Sequence, residues 1–140
     1  VHLDTQCRPP STHRVCQVYA SALPVAYANA RSADWEPFAR VVLRAAYEAT
    51  LAVGVLKAQK MPTGRAKVFL TALGGGAFGN QFEWIRDGLS DALHTHRDSP
   101  LDVTLVHYGT HLAREWESLQ RPSAGGAAGG QTAASCGSAL

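Results

Sequence analysis

The chain has 140 residues, a formal net charge of +2 and 46% hydrophobic residues, which bounds it to one domain with a modest core. Its 13 Lys and Arg are scattered rather than grouped, so a nucleic-acid surface is not expected. No apolar run approaches the ~20 residues of a membrane span and no signal-peptide pattern is seen, so the expectation is a cytoplasmic or nuclear protein with no membrane partner. Cys7, Cys16 and Cys136, an odd number without motif spacing, read as free thiols of a reducing compartment.

Residues 1–12 are polar and proline-bearing and are predicted to be loop. "RVCQVYASAL" is a β-branched and aromatic run that stops before Pro24. It predicts a buried strand over Val15–Ser21. Asp34 is the predicted N-cap of a long helix with Pro37 in its first turn. Trp35, Phe38, Val42, Ala45, Ala49, Ala52 and Leu56 recur every three or four residues as its apolar stripe, with Arg40, Arg44 and Glu48 opposite. Met61-Pro62-Thr63-Gly64 ends that helix. A second strand is expected over Lys67–Leu73, apolar on both faces in places, as a covered parallel strand would be.

Gly74-Gly75-Gly76 follows, and then Asn80 and Glu83, which form an N-x-x-E capping box for a second helix. Phe82, Ile85, Leu89 and Leu93 are its expected buried stripe. Ser99-Pro100 breaks the chain before "LDVTLVHYG", a third strand, and Arg114–Gln120 is read as a helical turn or two. Residues 121–140 are low-complexity Gly, Ala and Ser, which predicts disorder. The order strand, helix, strand, helix, strand favours right-handed parallel crossovers. The expected fold is therefore α/β, a layered α/β/α sheet with mostly parallel strands. Three strands make a thin sheet, and the chain starts at Val1 rather than Met, so truncation at the amino end is expected.

A Gly-rich turn between a parallel strand and a helix N-terminus points backbone N–H groups into open space, where the helix dipole favours an anion. The loop Gly74, Gly75, Gly76, Ala77, Phe78, Gly79 and Asn80 is accordingly the candidate phosphate cradle. The competing reading is a tight packing turn that only lets the helix lie close on the sheet. Gly74, Gly76 and Gly79 satisfy the G-x-G-x-x-G spacing of dinucleotide folds. That fingerprint also wants an acidic residue at the end of the next strand, where Val106-His107-Tyr108 stands instead. A Walker loop fails because no Lys-Ser/Thr follows the glycines. Ser21, placed at the carboxyl end of its predicted strand, is a candidate to line the same cleft, since ligands of open α/β sheets sit at those ends.

"VFLTALGGGAFGN" before an amphipathic helix resembles the second ligand loop of macrodomains, and "LRAAYEATLAVGVLKA" resembles the helix preceding it. With "SALPVAY", these segments are similar to the divergent macrodomains of the MavL-effector type over about residues 13–110, making 13–120 a partial macrodomain-like domain. The resemblance implies an ADP-ribose ligand, or an ADP-ribosylated protein as partner, and no further cofactor. It implies diphosphate contact at Gly74–Asn80, Phe78 beside the distal ribose, and Tyr108, with His107 second, against adenine. As an enzyme the family type would hydrolyse ADP-ribosyl bonds on protein, with a carboxylate or bound water attacking the anomeric carbon; the alternative is a non-catalytic reader. "VHLDTQCRPPST" contains no first glycine-rich loop, so no catalytic residue is assigned. Asp4 is a weak acidic candidate that reads more simply as solvated surface.

His94-Thr95-His96 lie on a helix end, where residues two apart do not face one another, and no Cys or Asp completes a tetrahedral metal set. No metal is therefore assigned. Trp84 and Trp116 read as packing residues.

Overall fold

The computed structural model describes residues 1–107 together with Trp116 and Leu119. Within them the chain forms β1 (His2–Gln6), β2 (Arg14–Gln17), α1 (Ser32–Ala58), β3 (Ala66–Thr71), α2 (Phe82–Thr95) and β4 (Leu101–Val106). Short 3₁₀ turns occupy Val25–Tyr27 and Gly76–Phe78. The described fold is mixed α/β with two separate two-stranded sheets, β1–β2 antiparallel and β3–β4 parallel.

The parallel pair is in register from Ala66 opposite Leu101 to Thr71 opposite Val106. The intervening α2 supplies the crossover that parallel strands require. Along β3 burial alternates strictly: Ala66, Val68 and Leu70 face inward, while Lys67, Phe69 and Thr71 are exposed. The expectation of a strand covered on both faces is thus corrected. Phe69 is 63% exposed, and among the described residues no helix covers that face. Among the described residues α1 packs on the inward face of β3 and β4, and a second helical layer on the Phe69 face is not found.

Helix α1 is the 27-residue spine. Its buried positions are Ala39, Leu43, Tyr47, Leu51, Gly54 and Ala58, spaced by three or four as one face requires. This is not the expected stripe: Phe38, Ala45, Ala49, Ala52 and Leu56 are exposed. The helix is apolar over more than one face, and its packing on α2 and β3 selects which one is buried. Gly88 of α2 lies against the α1 backbone, where an added Cβ would sit 3.1 Å from Arg44 N. Arg40 and Arg44, expected on the far face, instead reach toward α2: Arg40 pairs with Asp87 at 2.8 Å and Arg44 with Asp91 at 3.6 Å.

Helix α2 buries Trp84, Ile85, Gly88, Leu89 and Ala92, with Phe82 and Leu93 packed at the margin. Fully burying a side chain such as Ile85 or Leu89 contributes roughly 1.5–3 kcal/mol. Trp84 and Trp116 are both core residues, as expected, and Trp116 packs edge-on to Phe82 at 4.6 Å between ring centroids.

The amino-terminal segment differs most from expectation. Residues 2–6 are a strand rather than loop, and β2 ends at Gln17 instead of Ser21. β2 pairs only with β1 and is half-exposed, so it adds nothing to the parallel sheet among the described residues. The alternation in "HLDTQ" is too polar to read as a strand alone; it pairs because the chain turns back through Arg8–His13. The helix starts also move. Arg31 is the N-cap of α1, with Asp34 one turn inside and paired to it at 3.0 Å. Gln81 caps α2, so the Asn80–Glu83 box does not form. Tyr108, most of Arg114–Gln120, and residues 121–140 lie outside the described residues.

Candidate functional site

At the carboxyl end of β3 the chain enters the glycine loop under tight control. Tyr47, buried on α1, donates its hydroxyl hydrogen to Thr71 O at 2.9 Å and accepts the Leu73 N–H at 2.9 Å. One side chain thereby satisfies both backbone groups at the strand–loop junction. Burial pushes this hydroxyl up to about 12, opposed in part by the hydrogen bond from Leu73, because the phenolate would lose its hydration.

The loop then folds on itself. Asn80 N–H bonds Gly74 O at 3.1 Å, and Gly79 N–H bonds Gly76 O at 3.0 Å. The Asn80 side chain is buried, and its Nδ2 donates to Leu23 O at 2.8 Å and Gly74 O at 3.2 Å. Asn80 therefore clips the loop to the segment before the Val25–Tyr27 turn, a role more useful here than capping α2. Its Oδ1 is buried without a partner among the described residues.

Two glycines are explained by that contact. Gly74 has φ +80°, and an added Cβ would lie 2.3 Å from Ala22 Cβ. Gly79 has φ +70°, and its added Cβ would lie 2.8 Å from Ala26 Cβ. Gly76 differs: φ is +67°, yet nothing lies within 4 Å of an added Cβ. Gly75, Gly76 and Ala77 are exposed. The loop's backbone hydrogen bonds use the N–H groups of Leu73, Gly75, Gly79 and Asn80. Gly76 and Ala77 begin a 3₁₀ turn, so their N–H groups have no partner inside it. The exposed N-terminus of α2 follows within five residues.

Of the other predicted site residues, Ser21 and His107 lie near the loop by chain position and strand register, and Phe78 lies within it. Ser21 stands beside Ala22, the residue packed on Gly74, although it lies in coil well past the end of β2; its hydroxyl donates to Ala22 O at 3.0 Å. His107 follows Val106, the register partner of Thr71, so it sits next to the loop entrance. Phe78 is half-buried and meets the exposed Tyr27 edge-on at 6.1 Å. Tyr108 is outside the described residues. Tyr27 and Tyr47 are the residues that sequence reasoning missed. "VAY" beside a proline carried a signal for Tyr27; nothing local marks Tyr47 as the hydroxyl that holds the loop.

Asp4 is not part of this group. It pairs with Arg14 at 3.1 Å on the hairpin and lines a separate cleft with Arg65, at the amino end of β3. Among the described residues no three His, Cys, Asp or Glu side chains form a metal cluster. Cys7 and Cys16 are free thiols. Among the same residues no helix is long and apolar enough to cross a membrane. No family model, curated protein or solved structure matches the chain.

Proposed function

We propose that this chain binds ADP-ribose or a related nucleotide diphosphate, with the Gly74–Asn80 loop holding the diphosphate. The observation that carries the reading is the exposed Gly75-Gly76-Ala77 turn. Its Gly76 and Ala77 N–H groups have no hydrogen-bond partner among the described residues, it follows a parallel strand, and it leads into the N-terminus of a 14-residue helix. Backbone donors followed by a helix N-terminus are features that favour an anion. The resemblance of "LGGGAFGN" to a macrodomain loop selects the diphosphate among anions. Tyr27, 68% exposed beside Phe78, offers an aromatic ring for the base or ribose, and His107 follows the register partner of Thr71 at the loop entrance.

Close packing accounts for Gly74 and Gly79, whereas Gly76 is required only by its positive φ and leaves the turn open in front of it. Binding is the step these residues support. Hydrolysis would need a carboxylate or oriented water at the anomeric carbon, and Asp4 stands at the other end of β3. A reader of ADP-ribosylated protein and a hydrolase share this binding step, and a carboxylate or oriented water at the anomeric carbon would distinguish them.

Calorimetry with ADP-ribose tests this. Saturable binding is expected, weakened at least tenfold in Gly76→Asp, which keeps a residue tolerant of positive φ but adds a negative charge to the open turn. Absence of heat up to millimolar ligand, from protein whose circular dichroism shows it folded, would overturn the proposal.

A further inference from the structure

A cleft of about 1020 Å³ lies between the two sheets. Its walls include Ala66 to Phe69 of β3 with Arg65 before them and all of β2 with Val18 and Tyr19 after it, while Leu3 and Asp4 of β1 and Asp102 of β4 border its rim. Successive residues of a strand point to opposite faces. A cleft that touches all of them runs along the strand edges rather than over one face. Its floor is a single stripe of α1, Thr50, Val53, Gly54 and Lys57.

Both edges are open. β3 pairs only with β4, and β2 only with β1, among the described residues. Ala66 N–H donates to Pro100 O at 3.1 Å, which directs the Ala66, Val68 and Leu70 backbone groups toward β4. The N–H and C=O of Lys67 and Phe69 therefore point the other way, into the cleft. A six-residue strand with ~3.3 Å rise, ~4.8 Å strand spacing and ~10 Å layer thickness fills about 950 Å³, close to the space present.

The charge of the rim indicates what fits. Arg14 is paired with Asp4 and Arg65 with Asp102, while Lys60 and Lys67 line the same cleft with no carboxylate at salt-bridge distance among the described residues. Val53 and Val68 supply apolar surface below, and Phe69 adds an exposed ring.

We infer that this cleft is a strand-addition site for an extended acidic peptide of a partner protein. The peptide pairs its backbone with the β3 edge, sets alternate apolar side chains on the α1 floor, and turns the intervening carboxylates toward Lys60 and Lys67. Main-chain hydrogen bonds give such a site its grip and alternate side chains give its selectivity. The inference is independent of nucleotide binding at the glycine loop.

The probe is a fluorescein-labelled acetyl-(Val-Glu)₃-amide, titrated by anisotropy against the full chain. Saturable binding is expected. It should weaken at least tenfold when alternate peptide nitrogens are methylated, and at least tenfold when Lys replaces each Glu of the peptide. In the protein, Lys67→Glu should weaken the acidic peptide and strengthen the basic one. Hydrogen exchange should find the Lys67 and Phe69 amides fast in the free protein and slow with peptide bound. Three results would each overturn the inference: no binding at millimolar peptide, equal binding of the methylated peptide, or slow Lys67 and Phe69 amides in the free protein. In that last case, protection at low concentration means that another part of the same chain fills the cleft. Protection that rises with protein concentration means that a second copy does.

Discussion

The glycine loop and the amino-terminal hairpin are held to the same helix in opposite ways. The loop is fixed by buried hydrogen bonds from Tyr47 and Asn80 and by glycines that close on Ala22 and Ala26. The hairpin reaches α1 through an exposed hydrogen bond, Lys57 Nζ to Leu3 O at 2.6 Å, with an open cleft beside it. An unmade bond in the first region strands a buried polar group; in the second, water replaces it. The molecule therefore has one pre-shaped loop and one adaptable edge.

Substitutions at the loop glycines should break this comparison most sharply. Gly74→Ala is expected to destabilise by on the order of 3 kcal/mol or more, since it combines a positive φ with a Cβ that cannot be placed. Gly79→Ala should cost about 2 kcal/mol, and Gly76→Ala only about 1 kcal/mol, the left-handed penalty alone. Urea denaturation of the three variants measures the order; equal losses would mean that contact with the 22–26 segment does not set the loop.

Tyr47→Phe should cost about 1–3 kcal/mol by leaving the Leu73 N–H without its acceptor. The same residue sets an alkaline limit. Its folded-state value is raised from 10.0 to about 12, so its contribution is complete below pH 10 and is lost as pH rises toward 12. The parent should lose stability across that window relative to Tyr47→Phe, a difference read from paired denaturation curves.

Much of this contrast was invisible in the sequence. The existence of both helices and of the β3–α2–β4 unit was legible, because Gly, Pro and apolar spacing mark their limits. Which face of α1 is buried was not, since Phe38 and Leu56 are as apolar as Leu43 and Leu51 and only tertiary contact separates them. β1 was hidden by its polar composition, which pairs without being buried. At the site, the glycines announced a loop but not its division of labour. That depends on Ala22 and Ala26, some fifty residues away in the chain.

Smaller effects sharpen the hairpin side. Lys57→Met should change global stability by less than about 1 kcal/mol, as exposed charged contacts do, while amide exchange in residues 2–17 quickens. An unchanged exchange rate would show that the hairpin is anchored elsewhere. Across the helix pair, Arg40, then Arg86, holds the Asp87 carboxyl below its ordinary value of 3.8. Its stabilising share is complete above that value and disappears as pH falls through the lowered one. Asp87→Asn should therefore cost about 0.5 kcal/mol near neutral pH and flatten the acid limb of the stability curve.

The positive φ at Gly76 has one more consequence. An L-residue enters that backbone shape under strain, whereas for a D-residue it is the ordinary right-hand side of its own conformational map. A D-alanine introduced at position 76 by peptide ligation should seat without the penalty of its mirror image and remove disorder from the unfolded chain. The open turn is thus a place where handedness itself can be used to stiffen the protein, leaving every other atom as it stands.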